Sequence, residues 1–160
     1  MKKNLLFIVI MLFAANVFSQ KEKAKEQSNA DIFSAKEGSL IQKEFIQIGS
    51  LKGIKLSIMY ITDLKTNEKL NALRFEYEYS GSYSTTTKIA VLDVDEVSAL
   101  QTSIKFITDK IFPTAAQNYT EVAFKSRGGF EAGCYSKEDS WKTYLQLDKY
   151  DSKSLFFNYE

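Results

Sequence analysis

Large apolar residues recur along this chain with two different periods, and the change of period divides it. From Leu40 alternation dominates. Phe45, Gln47 and Gly49 alternate with Ile46 and Ile48; Ile54, Leu56, Ile58 and Tyr60 share one side, Lys55, Ser57, Met59 and Asp63 the other. Leu73, Phe75, Tyr77 and Tyr79 point away from Arg74, Glu76 and Glu78. Side chains at i, i+2 and i+4 fall together only on a strand. Polar turns at Lys65–Glu68 and Ser80–Ser82 separate these runs, and a β-branched run, Thr85–Leu92, completes four strands. Their short connections make neighbours antiparallel. The period then becomes 3.6. Val97, Leu100, Ile104, Ile107 and Ile111 form one stripe of an amphipathic helix. Asp93 with Glu96, or Asp95 with Ser98, supplies its N-terminal capping, and Pro113 stops it. Alternation returns in Tyr119–Lys125, Phe130–Tyr135, Trp141–Leu147 and Leu155–Tyr159, with Ser126–Gly129 as a hairpin turn and Ser136–Ser140 as a second one. The pattern predicts an α+β fold: antiparallel sheet(s) in ββββ-α-ββββ order with one amphipathic helix packed on a sheet face. The helix stripe should cover Leu73, Phe75 and Tyr77, which leaves Arg74, Glu76 and Glu78 on a wet face.

The first 38 residues follow neither period. Lys2 and Lys3 precede the unbroken apolar run Leu5–Ala15, and Val17 and Ser19 are the small residues a signal peptidase needs. We read 1–19 as a secretory signal peptide cleaved after Ser19, too short an apolar run for a membrane span. Residues 20–38 are rich in Lys, Glu, Gln, Ser and Asn, with Ile32 and Phe33 their only large apolar residues. They read as a flexible charged linker, a solvated tether with at most transient helix. Residues 39–160 then form a single α+β domain.

Charge follows from that division. The full chain has 21 basic and 20 acidic residues; loss of Lys2 and Lys3 leaves 19 against 20, a net charge of −1. A near-neutral mature chain does not steer toward nucleic acid or anionic lipid. There is no histidine, which removes imidazole bases, Ser-His and Cys-His dyads and most zinc sites. The single cysteine, Cys134, has no intrachain partner and reads as a small core residue.

Five groupings bear on chemistry. Glu76 and Glu78 pair carboxylates on one strand, as glycoside hydrolysis requires, but beside Arg74 they read as a solvated face. Asp93, Asp95 and Glu96 are oxygen ligands in type, yet lack the alternating acids and turn glycine of a calcium loop; helix capping accounts for them. Arg127-Gly128-Gly129-Phe130 has the composition of an RNA-binding box but occurs once, at a turn. Phe75, Tyr77, Tyr79, Trp141 and Tyr144 offer a stacking platform, or core. Asn118-Tyr119-Thr120 fits the glycosylation pattern. None of these completes a catalytic, cofactor-binding or metal site, so no residue is assigned to any of the three and no cofactor is expected.

Lys88–Ile107, Tyr119–Phe130 and Trp141–Leu147, with a Leu/Phe-rich leader ending Ser19-Gln20, resemble small exported proteins of the Bacteroidota type that have no assigned activity. The resemblance implies export and carries no site residues. The arrangement also looks like single-strand nucleic-acid binders of two ββββα units, without their charge. The expectation is an exported domain, periplasmic or extracellular, that binds an envelope protein or small ligand without catalysis. It has no nucleic-acid partner and no membrane span after signal cleavage. The alternative is a carboxylate-dependent hydrolytic enzyme.

Overall fold

The computed structural model describes residues 26–80, 84–138, 140–148 and 155–158. The expected signal peptide and the first part of the linker lie outside them. A short helix, α1 (Asn29–Ser34), comes first. Strands β1 (Ile41–Leu51), β2 (Ile54–Asp63), β3 (Lys69–Ser80) and β4 (Thr85–Asp93) form one antiparallel sheet in sequence order. Helix α2 (Val94–Phe106) starts directly from β4 and runs into one π-helical turn, Ile107–Ile111. Strands β5 (Glu121–Lys125), β6 (Glu131–Lys137) and β7 (Ser140–Gln146) make the body of a second antiparallel sheet, and the four-residue β8 (Leu155–Asn158) pairs along β7. The molecule is therefore α+β with antiparallel sheets; the ββββ-α-ββββ order that the sequence pattern predicts is not matched as it stands, since α1 precedes it and β5, β6 and β7 make the body of the second sheet.

Local chemistry sets the turns. Lys52 and Gly53, at φ 49° and 88°, join β1 to β2; two left-handed residues give a hairpin turn whose twist matches the strands. The Ser126–Phe130 turn has Gly129 at φ 91°, and Phe130 N–H donates to Ser126 Oγ. At the end of α2, Phe112 N–H reaches back five residues to Ile107 O, and Pro113 follows. The predicted turn at Ser80–Ser82 falls largely outside the described residues.

The main core lies between the sheets. Phe75 of β3, Ala90 and Leu92 of β4, Leu100 of α2, and Phe130, Ala132 and Leu147 pack together with Ile54. Phe130 is 1% exposed, and its ring stacks on Phe75 at 4.8 Å between centroids. The face with Leu73, Phe75 and Tyr77 is thus the inner one.

Three expectations are corrected. Residues 28–34, expected in a flexible linker, form a capped helix; its Ala30, with Met59, Ile61 and Ala72, makes a second core on the outer face of the first sheet. The cause is long-range: backbone N–H groups of Asn29 and Ala30 donate to Asp93 at 2.7 and 3.0 Å. The outer face is consequently not uniformly wet. α1 covers the part around Met59, Ile61 and Ala72, and the Glu76 side chain is 18% exposed, whereas Glu78 is open to solvent. The helix stripe is also shifted. Leu100 and Ile107 are buried, but Ile104 is exposed, and Glu96 takes a buried place on the helix instead. Glu96 goes inward because buried donors await it there.

Candidate functional site

Asp93 ends β4 and caps α2, so strand and helix together fix Asp93, Asp95 and Glu96 within one turn. Glu96 accepts from Asp93 N–H at 3.0 Å, half of the reciprocal pairing of a capping box. Across from them stands the Ser126–Phe130 turn. Arg127 Nη2 lies 2.6 Å from Asp93 and 2.9 Å from Asp95, Nη1 is 2.9 Å from Asp95, and Arg127 N–H donates to Glu96 at 2.7 Å. Arg127 Nε lies 3.5 Å from Glu96 and makes no hydrogen bond. The acid group and the Arg-Gly-Gly-Phe turn, read separately in the sequence, are one contact that joins the two sheets. Its carboxylates face a guanidinium and backbone donors. Among the described residues, no group of three acidic or cysteine side chains is placed to hold a metal ion. Arg127 holds the Asp95 carboxyl below its ordinary range, and the carboxylates raise the already high Arg127 value.

Glu76 is similarly engaged. It pairs closely with Arg74 and lies 3.4 Å from Lys55, which also reaches Glu78 at 2.9 Å. Arg74, then Lys55, keep the Glu76 carboxyl below the usual range. A general acid needs the opposite shift, so Glu76 is poorly suited to that role.

The aromatic stripe does not assemble. Phe75 is core, while Tyr79 is 37% exposed. Trp141 donates its indole N–H to Thr114 O at 2.9 Å, and Tyr144 donates to Glu131 at 2.5 Å. Trp141 and Tyr144 differ by an odd number along β7, so they project from opposite faces. Burial and then Glu131 push the Tyr144 hydroxyl pKa upward. Cys134 is wholly buried, and desolvation raises its thiol pKa. Asn118 lies in the loop before β5, where its carbonyl accepts from Thr120 and Ser136.

A cleft of about 280 Å³ opens between α2 and β5, lined by Thr102, Ser103, Phe106, Ile107, Val122 and Phe124. No charged side chain lines it, and Thr102 and Ser103 contribute hydroxyl-bearing side chains to its wall.

The feature that sequence reasoning missed is β1. It is the edge of its sheet, paired on one side by β2. Phe45, Ile46, Ile48 and Leu51 are 51%, 52%, 55% and 47% exposed. Leu40 beside it and Tyr60 opposite Glu44 are exposed as well. Strict alternation would hide one set, but Phe45 and Ile46 are adjacent and project from opposite faces. That adjacency was the available signal. The ring of Phe45 lies under the Arg74 guanidinium, 5.2 Å from centroid to carbon, a cation–π contact that holds it on the outer face. β4, the other edge, opens instead with three threonines and Lys88.

No family model, curated protein or solved structure matches the chain.

Proposed function

We propose that this chain is a small exported, non-catalytic binding domain of the cell envelope. In this reading a signal peptide over 1–19 directs export and two four-stranded halves joined by a helix make the domain. β1 is the binding edge. It takes an extended segment of no net charge from a protein partner by strand addition.

The observation that carries this reading is the edge itself. Among the described residues, the eleven of β1 pair on one side only, with β2, and Phe45, Ile46 and Ile48 expose apolar side chains on both faces beside the free row of backbone N–H and C=O groups. Such an edge is normally blunted by charge, brevity, a bulge or cover; here Lys43, Glu44 and a bulge after Gln47 blunt it in part and leave Ile41–Gln47 regular. Extended peptides use edges of this kind in recognition: main-chain hydrogen bonds give affinity and alternate side chains give specificity. Lys43 and Glu44 cancel in charge, so a neutral segment fits. The engaged carboxylates at Glu76 and Asp95 favour binding over hydrolysis.

A Thr-Val repeat heptapeptide provides the test, read by hydrogen exchange of the β1 amides in residues 20–160. The peptide should slow exchange within Ile41–Gln47, and a version N-methylated at alternate residues should not. Slowing confined to β5, or none at all at a dilution where sedimentation shows a monomer, would overturn the reading.

A further inference from the structure

We infer that the strand which β1 takes is β1 of a second copy of this chain, antiparallel about a two-fold axis at Phe45; this rests on β1 being the binding edge. The argument is one of register. A two-fold axis perpendicular to a sheet keeps each face on its own side, so opposed residues must share a face. Ile41, Lys43, Phe45 and Gln47 pair with Asp63, Ile61, Met59 and Ser57 and lie on the outer face; Gln42, Glu44 and Ile46 lie on the inner one. β1 is regular up to Gln47, where a bulge intervenes before Gly49.

Only a few registers remain. An axis at Lys43 opposes two lysines, and an axis at Glu44 opposes two glutamates; like charges directly opposite are unfavourable. An axis at Ile46 drives most pairs into the bulge. An axis at Phe45 opposes Phe45 with Phe45, Glu44 with Ile46 and Lys43 with Gln47, all within the regular stretch and with no like charges. The two Phe45 rings meet across the axis, each backed by its own Arg74. The pairing joins two four-stranded sheets into one of eight and covers apolar side chains that would otherwise invite uncontrolled edge pairing.

The register makes Gln47 diagnostic. It is exposed and makes no apolar core contact. Gln47→Lys places a lysine opposite Lys43 twice per dimer. It should weaken association by about ten-fold at low salt, an order-of-magnitude value from two like-charged cross-strand pairs. Lys43→Glu combined with Gln47→Lys should restore association. Phe45→Cys should form an interchain disulfide under mild oxidation, since Cys134 is buried. Sedimentation equilibrium of residues 20–160 reads the first two variants, and non-reducing electrophoresis reads the third. A monomer at every concentration tested, with β1 amides still slowed by the Thr-Val peptide, would overturn the second copy and leave strand addition standing. A dimer insensitive to both Gln47 variants would overturn the register and the proposal. A dimer whose β1 amides exchange freely would overturn strand addition as well.

Discussion

Single residues carry the tightest constraints. Gly133 sits mid-strand in β6, and a Cβ built there would lie 2.5 Å from Val122 O and 2.8 Å from Ala123 Cβ. A backbone carbonyl cannot turn aside as a flexible side chain can. Gly133→Ala should destabilise by about 1–3 kcal/mol, the range for overpacking, measured by urea denaturation; a loss under 0.5 kcal/mol would show that β5 yields easily. Cys134 makes the opposite kind of prediction. Its thiol is buried and its pKa raised, so native labelling by a maleimide should be far slower than for a free peptide thiol and should accelerate in denaturant. Phe75→Ala removes a ring stacked on Phe130 and should cost about 3–5 kcal/mol. Glu76→Ala gives up ion pairs that are partly solvated and should cost about 1 kcal/mol. Comparing their denaturation midpoints tests which face is inner.

Elements meet at Arg127. Removing its charge leaves Asp93 and Glu96, whose side chains are 5% and 7% exposed, without their cation. Breaking a buried pair on one side costs about 3–5 kcal/mol. Because Arg127 is itself 37% exposed, Arg127→Met should sit near the lower figure. The same variant should loosen α1, since Asp93 receives both Arg127 and the first backbone donors of that helix; faster hydrogen exchange at Asn29 and Ala30 is the readout. Acid has a related effect. Asp95 and Glu76 have carboxyl pKa values lowered in the folded state. Their contribution is therefore present above the unfolded carboxyl values near 4 and is lost as pH falls through the folded ones. Stability should decline from about pH 4 downward, and Arg127→Met should flatten the Asp95 share of that decline. An unchanged slope would assign the acid loss elsewhere.

For the molecule as a whole, one sheet is covered on both faces at one end and bare along one edge. α1 closes the outer face around Met59 and Ile61, α2 and Phe130 close the inner face, and nothing among the described residues pairs the free side of β1. Deleting residues 20–35 should expose Asp93 and the second core. It should lower the melting temperature and increase binding of a hydrophobic dye, while the Phe75–Phe130 core still folds. A truncated chain with unchanged stability would show that α1 contributes little.

The sequence by itself determined an α+β chain of antiparallel strands, a helix that cannot pass Pro113, and the inner face at Phe75, because those rest on local periodicity and a single proline; between Asp93 and Asp95 as the start of α2 it left the choice open. Tertiary structure alone decided three things. It held Asn29–Ser34 as a helix, because the first donors of that segment find Asp93, more than sixty residues away. It turned Glu96 inward and Ile104 outward, because the helix rotates to present a carboxylate to Arg127 N–H. And it left β1 at an edge, because alternation fixes which side chains share a face but not how many strands cover it.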